Sequence, residues 1–106
     1  MTELSDEDRK ILTLARSART RTGAAEGAAV RDDIGRTYMA ATVELPSLRL
    51  TALQAAVAAA VSSGSTRFEA VAVVGETEPT DADRALLADV GSPVLLAADA
   101  AGQLRA

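Results

Sequence analysis

The sequence contains no cysteine and no histidine among its 106 residues. These absences exclude disulfides, thiol nucleophiles and histidine acid–base catalysis, and they remove the ligands that zinc prefers. Any bound metal would therefore be a hard cation held by oxygen atoms. The N-terminal segment is highly charged rather than apolar, so no signal peptide is predicted. Together these features predict a cytoplasmic protein.

Aromatic residues are nearly absent, with one Phe, one Tyr and no Trp, so Ala, Val and Leu must build the core. The net charge of −4 comes without a basic block, and nucleic acid is therefore not a predicted partner. A core of this size is modest, so association with copies of the chain would add useful burial. The bias toward Ala, Arg, Asp and Val is typical of a bacterial genome rich in GC.

The longest apolar segment, residues 49–64, organises the rest of the chain. Between Thr51 and Val61 the only polar side chains are Thr51 and Gln54. Ala and Leu favour a helix, and Gly64 favours its end. The segment is too short to span a bilayer, so no membrane association is predicted. A helix that is apolar all round is expected to be enclosed, by a sheet on one side and by helices or a partner chain on the other.

The other elements are recognised by their apolar spacing and by the turn residues at their ends. They are predicted as helices over 5–21 and 81–90, strands over 24–31, 36–43, 68–74 and 93–98, and a loop over 44–48. The order α-β-β-α-β-α-β predicts a three-layer α/β/α fold with a mixed sheet, as a single domain over residues 1–106. Ser5 and Thr80 are predicted to be the N-caps of these two helices, and Gly23 is predicted to end the first.

One polar residue and one group of acidic residues each have two interpretations. Glu26 lies between Ala25 and Gly27 in the first strand, and it is predicted either to face solvent or to pair with Arg31 or Arg36 across the hairpin. The acidic group lies around Pro79 and indicates either a site for a hard cation or a basic partner, or acids that stabilise a helix N-terminus. Its members are Glu76, Glu78, Asp81 and Asp83.

Several short motifs are spread over nearly the whole chain. They are Gly27-Ala28-Ala29-Val30, Gly35-Arg36-Thr37-Tyr38, Thr42-Val43-Glu44-Leu45, Leu50-Thr51 with Val57-Ala58, and Pro79-Thr80-Asp81-Ala82-Asp83-Arg84. In these motifs and their order the chain resembles the cytidine deaminase family. The resemblance implies the cytidine deaminase-like fold for residues 1–106.

In that family a zinc ion activates water, and a Glu on the central helix moves protons. The ion is held by a Cys or His on that helix and by two Cys of a Pro-Cys-x-x-Cys turn. In this chain the two Cys positions fall on Thr80 and Asp83. Threonine hydroxyls are neutral and bind zinc poorly, so the resemblance implies that zinc is absent.

The helix motif of the family aligns in two registers. Anchored on Leu50-Thr51, the ligand and acid positions are Leu53 and Ala55; anchored on Gly64, they are Thr51 and Leu53. Neither register supplies a metal ligand or a carboxylate. The resemblance therefore implies a degenerate member that lacks both the zinc ligands and the catalytic Glu, with no catalytic residue and no metal site.

The family's nucleoside-binding positions are also changed. The stacking Phe falls on Ala24, its neighbouring Val on Glu26, and the ribose-binding Asn-x-Glu pair on Thr42 and Glu44. The favoured hypothesis is an inactive protein with a structural or regulatory role, as a dimer or tetramer of this chain or with an unknown protein partner. An alternative is that the remnant pocket binds a nucleoside or small metabolite. An active deaminase with substitute chemistry is the least favoured.

Overall fold

The computed structural model describes residues 4–105, which contain three α-helices and six β-strands. In chain order these are α1 Asp6–Thr22, β1 Glu26–Asp32, β2 Thr37–Ala41, β3 Val43–Leu45, β4 Leu48–Leu50, α2 Ala52–Ser62, β5 Phe68–Gly75, α3 Asp81–Asp89 and β6 Val94–Ala98. The predicted order is confirmed, with one addition: a short ribbon of β3 and β4 stands where a loop over 44–48 was predicted.

Four strands form a mixed sheet in the order β2-β1-β5-β6. β1 is antiparallel to both β2 and β5, while β5 and β6 are parallel. Helix α1 covers one face of this sheet, and α2 and α3 cover the other. The predicted three-layer α/β/α architecture is confirmed.

The alternation of side chains along the central strands creates one core on each face of the sheet. In β5, Val71 and Val73 face α2, whereas Ala70 and Ala72 face α1. The same alternation runs along β1, where even-numbered residues such as Ala28 pack toward α2. Because helices cover both faces, β1 has no solvent side, and its burial is nearly continuous.

Helix α1 begins and ends at the predicted signals. Ser5 is the N-cap, and its hydroxyl accepts a hydrogen bond from the Asp8 N–H at 3.1 Å. Gly23 ends the helix in the left-handed conformation that glycine adopts easily, with φ of 68°. The inward face of the helix buries Ile11 and Ala15 against the sheet.

Helix α2 starts later than the predicted residue 49. Thr51 is its N-cap, and the preceding Arg49 and Leu50 belong to β4. The pairing of Arg49 with Glu44 across the β3–β4 ribbon takes these residues out of the helix. The ribbon was missed because each strand has only three residues, too few for a periodic pattern.

One face of α2 packs on the sheet, and the opposite face is exposed in the single chain. Ala52, Leu53 and Ala56 are buried, whereas Ala58 and Ala59 are exposed. Enclosure of the helix on that second side would therefore require a partner chain. Within residues 4–105, no helix is long and apolar enough to cross a membrane.

Candidate functional site

A cleft of about 310 Å³ lies at the N-terminal end of α2, where the start of β1, the β3–β4 ribbon and the loop before α3 meet. Its lining consists of Ala25, Glu26, Thr42, Val43, Glu44, Arg49, Leu50, Thr51, Gln54, Thr77 and Thr80. A second depression of about 290 Å³ shares Ala25, Thr42 and Glu44 with the cleft and adds Ala24. The structure therefore brings most of the predicted site residues to one place.

The N-termini of α2 and α3 meet beside this cleft, and at each of them two backbone N–H groups are satisfied by side chains. At α2, the Gln54 N–H donates to Thr51 Oγ1 at 3.1 Å, and the Thr51 N–H donates to Gln54 Oε1 at 2.9 Å. At α3, the Asp83 N–H donates to Thr80 Oγ1 at 3.1 Å, and the Thr80 N–H donates to Asp83 Oδ2 at 3.4 Å. These are capping boxes, and the predicted N-cap role of Thr80 is confirmed.

A hydrogen bond of 2.6 Å joins the two helix ends, from Thr51 Oγ1 to Asp83 Oδ1. Asp83 is completely buried behind the cleft, although its carboxylate comes from an acidic stretch of sequence. Leu53 is also completely buried, in the core between α2 and the sheet, and Ala55 is half-buried. Neither Leu53 nor Ala55 lines the cleft.

Thr42 and Glu44 differ in what their side chains do. The Thr42 hydroxyl accepts from the Glu26 N–H at 3.0 Å and contacts the Glu26 carbonyl oxygen at 3.3 Å, so it holds the edge of β1. Glu44 is exposed at the rim of the cleft, opposite Arg49 in the ribbon. Thr42 is therefore occupied by backbone contacts, while Glu44 remains accessible.

Both predictions for Glu26 are wrong. Its side chain faces α2 and lines the cleft, and the residue is only 8% exposed. Each arginine predicted as its partner is paired with another acid: Arg36 Nε lies 2.7 Å from Asp32 Oδ2, and Arg31 Nη1 lies 3.0 Å from Asp8 Oδ1. The error arose from assigning a solvent side to a strand that is covered on both faces.

The surroundings of Glu26 change the acidity of its carboxyl group. Burial raises the pKa of the Glu26 carboxyl, and the nearby charge of Asp83 raises it further, while the Ala52 backbone N–H lowers it. The sequence did contain a signal for this position. Glu26 shares its parity along the strand with Ala28 and Val30, so it had to lie on the face that meets the central helix.

The acidic residues around Pro79 do not form one cluster. Glu76 lies 3.5 Å from Arg19 Nη2, and Asp83 is buried at the start of α3. Asp81 and Asp83 occupy the first turn of α3, where the helix dipole favours negative charge. Among the described residues, no group of three or more Asp or Glu is arranged to hold a metal ion.

Comparison with known proteins identifies the family. The model of the cytidine deaminase-like family matches residues 4–102. The chain belongs to the cytidine deaminase-like family. No curated protein sequence matches it closely enough to narrow the assignment.

Solved structures of cytidine deaminases share the fold over nearly their whole length. The Burkholderia pseudomallei enzyme has a TM-score of 0.79 and 26% identity, covering 96% of this chain and 91% of the other. The Mycobacterium tuberculosis enzyme has a TM-score of 0.72 and 29% identity, covering 88% and 85%. The Mycobacterium leprae enzyme has a TM-score of 0.71 and 26% identity, covering 89% and 87%.

The residues at the meeting point of α2 and α3 do not fit the zinc ion of the cytidine deaminase family. Thr51 and Thr80 are neutral, and each hydroxyl already accepts a hydrogen bond from the backbone of its helix. The Asp83 carboxylate accepts the Thr51 hydroxyl and contributes the only charged oxygen atoms among these three residues. Catalytic zinc in proteins is usually held by three thiolate, imidazole or carboxylate groups.

Proposed function

We propose that this chain is a non-catalytic member of the cytidine deaminase-like family, acting in the bacterial cytoplasm as a structural or regulatory protein. It acts through association with copies of itself, as a dimer or tetramer, or with another protein. The observation that carries the proposal is the contact between Thr51 and Asp83 across the two helix ends. It supports the register anchored on Gly64, in which the metal-ligand positions are Thr51, Thr80 and Asp83.

In that register the catalytic acid position is Leu53, which is completely buried in the core. A leucine has no proton to donate or accept, so the proton transfers of hydrolytic deamination would have no agent at this position. Asp83, behind the cleft, is held by the Thr51 hydroxyl and the Thr80 N–H. The proposed loss of activity therefore rests on the chemistry of the residues that occupy these positions.

Association through α2 is supported by the side of the helix that the chain leaves uncovered. Ala58, Ala59 and Val61 are exposed there, and Val61 retains 51% of its surface accessible. The helix carries no charged residue over its whole length. Small side chains on this face permit close approach of a second helix, and burial there would add to a modest core.

Substitution of Ala59→Lys is expected to weaken self-association at least tenfold, because the interface would then bury an unpaired charge. The matched control is Ala88→Lys on the exposed side of α3, which adds the same charge outside the proposed interface. Light scattering after size-exclusion chromatography, over a range of concentrations, measures the effect. A one-chain mass for the unsubstituted protein at every concentration would contradict self-association, as would equal effects of the two substitutions.

A second candidate function is the binding of a small molecule without turnover. The open cleft favours it, because a volume of about 310 Å³ is at the lower end of the range for ligand pockets. Glu44 at the rim and Glu26 inside supply polar groups with acceptor capacity. Binding of cytidine in a thermal-shift and calorimetric titration tests the nucleoside form of this candidate.

A further inference from the structure

We infer that the cleft binds a small organic cation, an amidinium, guanidinium or primary ammonium group on a compact apolar body, and that Glu26 is the group that recognises it. This inference rests on the second candidate function and names its ligand class. It comes from the position of one buried carboxylate that none of the described ion pairs neutralises.

The buried carboxylate of Glu26 forms no ion pair with a basic side chain among the described residues. The residue is 92% inaccessible, and no side chain among residues 4–105 donates a hydrogen bond to its carboxylate. The Ala52 backbone N–H occupies one of the roughly four acceptor positions of a carboxylate. The other positions are available to a donor in the cleft, and a planar amidinium presents two parallel N–H groups to such a carboxylate.

The charges around the cleft favour a cation over an anion. Glu26 and Glu44 line it, Asp83 lies behind it, and Arg49 is its one cationic lining residue. Helix N-termini often bind anions. Here a capping box already engages two backbone N–H groups at the N-terminus of α2 and two at that of α3, which leaves fewer of them for a phosphate.

The size and lining of the cleft favour an organic cation over a metal ion. Its volume corresponds to about ten water molecules, at roughly 30 Å³ each. Ala25, Val43 and Leu50 contribute apolar surface. Magnesium and calcium need six or more oxygen ligands, and the described residues provide no cluster of three carboxylates for one.

Glu26 is also expected to reduce the stability of the free protein, because an unneutralised carboxylate is costly to bury. Glu26→Val removes the charge and is expected to raise the thermal unfolding midpoint. A merely structural role would give the opposite sign. Comparing the unfolding midpoints of Glu26→Val and the unsubstituted chain therefore tests whether Glu26 serves binding or packing. A binding residue can lower stability, whereas a packing residue raises it.

The experiment is a titration of the ¹⁵N-labelled full-length chain, followed by backbone amide shifts at neutral pH. The probes are benzamidinium, its neutral isostere benzamide, cytidine and magnesium chloride. With benzamidinium we expect saturable shifts at Thr51 and Thr80, with affinity at least tenfold higher than for benzamide. Glu26→Gln is expected to lower that affinity at least tenfold. The control Glu7→Gln removes the same charge from exposed α1 and is expected to change nothing.

The outcomes separate this inference from the second candidate function, the binding of a small molecule. Binding of cytidine without binding of benzamidinium would leave ligand binding in place and overturn the cation assignment. No saturable binding of any probe would overturn both the cation assignment and the second candidate function. Saturation of the same amides by magnesium alone would replace the organic cation with a metal. Equal losses in Glu26→Gln and Glu7→Gln would show that only net charge matters, and this too would overturn the inference.

Discussion

Substitution of Gly27→Ala is expected to prevent stable folding, or to lower the free energy of unfolding by about 3 kcal/mol or more. A Cβ atom at position 27 would lie 1.9 Å from the carbonyl oxygen of Ala15 and 2.7 Å from the backbone nitrogen of Arg19. Both atoms belong to the backbone of α1, so no side-chain rotation relieves the clash. The helix would have to move away from β1, which would open the core that Ile11 and Ala15 close.

The unfolding free energy of Gly27→Ala is measured by urea denaturation, with far-ultraviolet circular dichroism to establish whether the variant folds. Gly35→Asn is the control, because Gly35 lies in an open turn with φ of 87° and asparagine tolerates that region better than other non-glycine residues. We expect the free energy of unfolding to fall much less in the control than in Gly27→Ala. A Gly27→Ala protein as stable as the unsubstituted chain would contradict the close packing of α1 on β1.

Substitution of Asp32→Asn is expected to make the folded state much less stable above pH 4. It is also expected to remove a large part of the loss of stability in acid. Asp32 is completely buried, and it accepts hydrogen bonds from Ser65 Oγ at 2.7 Å and Arg36 Nε at 2.7 Å. Backbone N–H groups of Ile34 and Arg36 donate to the same carboxylate. These contacts fasten the turn after β1 to the segment before β5.

The sign of the pH effect follows from the direction of the pKa shift. Burial alone would raise the pKa of Asp32, but the hydrogen bonds from Ser65 and Arg36 lower it to about 2, from an ordinary value of 3.8. A carboxyl with a lower pKa in the folded state stabilises the fold fully above its unfolded value, and this stabilisation is lost as the pH falls from about 4 to about 2.

Thermal unfolding midpoints measured from pH 2 to pH 7 test this expectation. The unsubstituted chain is expected to lose stability steeply below pH 4, and Asp32→Asn to show a flatter curve in that range. The control is Asp33→Asn at the neighbouring exposed position, which is expected to keep the steep loss. If both variants lost stability in acid as steeply as the unsubstituted chain, Asp32 would not be the group responsible.

The features predicted correctly from the sequence are those that depend on neighbouring residues or on strong periodicity. The helix caps depend on single residues. Ser5 and Thr80 each accept a backbone hydrogen bond at a helix N-terminus, and Gly23 ends α1 by adopting a positive φ angle. The apolar spacing also predicted β5, as a strand over 68–74. Such signals establish the order of elements and the layers of the fold.

The features that were missed depend on contacts between distant segments. Arg49 appeared to belong to the central helix because nothing local indicates its pairing with Glu44 in the ribbon. The alternation along β1 indicates which face Glu26 shares with Ala28 and Val30, but its burial depends on α2 covering that face, which a strand pattern alone does not reveal. The cleft joins residues that are up to 55 positions apart, from Ala25 to Thr80, so its composition follows only from the assembled fold.

We propose that this member of the cytidine deaminase-like family does not deaminate cytidine by zinc chemistry. The most direct test of this proposal is uridine formation from cytidine by the purified full-length chain supplied with equimolar zinc, with the Mycobacterium tuberculosis cytidine deaminase as positive control. We expect a rate equal to that of the blank without protein, because Thr51, Thr80 and Leu53 supply neither a zinc ligand of the usual kind nor a proton-transferring acid. Sustained uridine formation that stops on chelation of zinc would contradict the account.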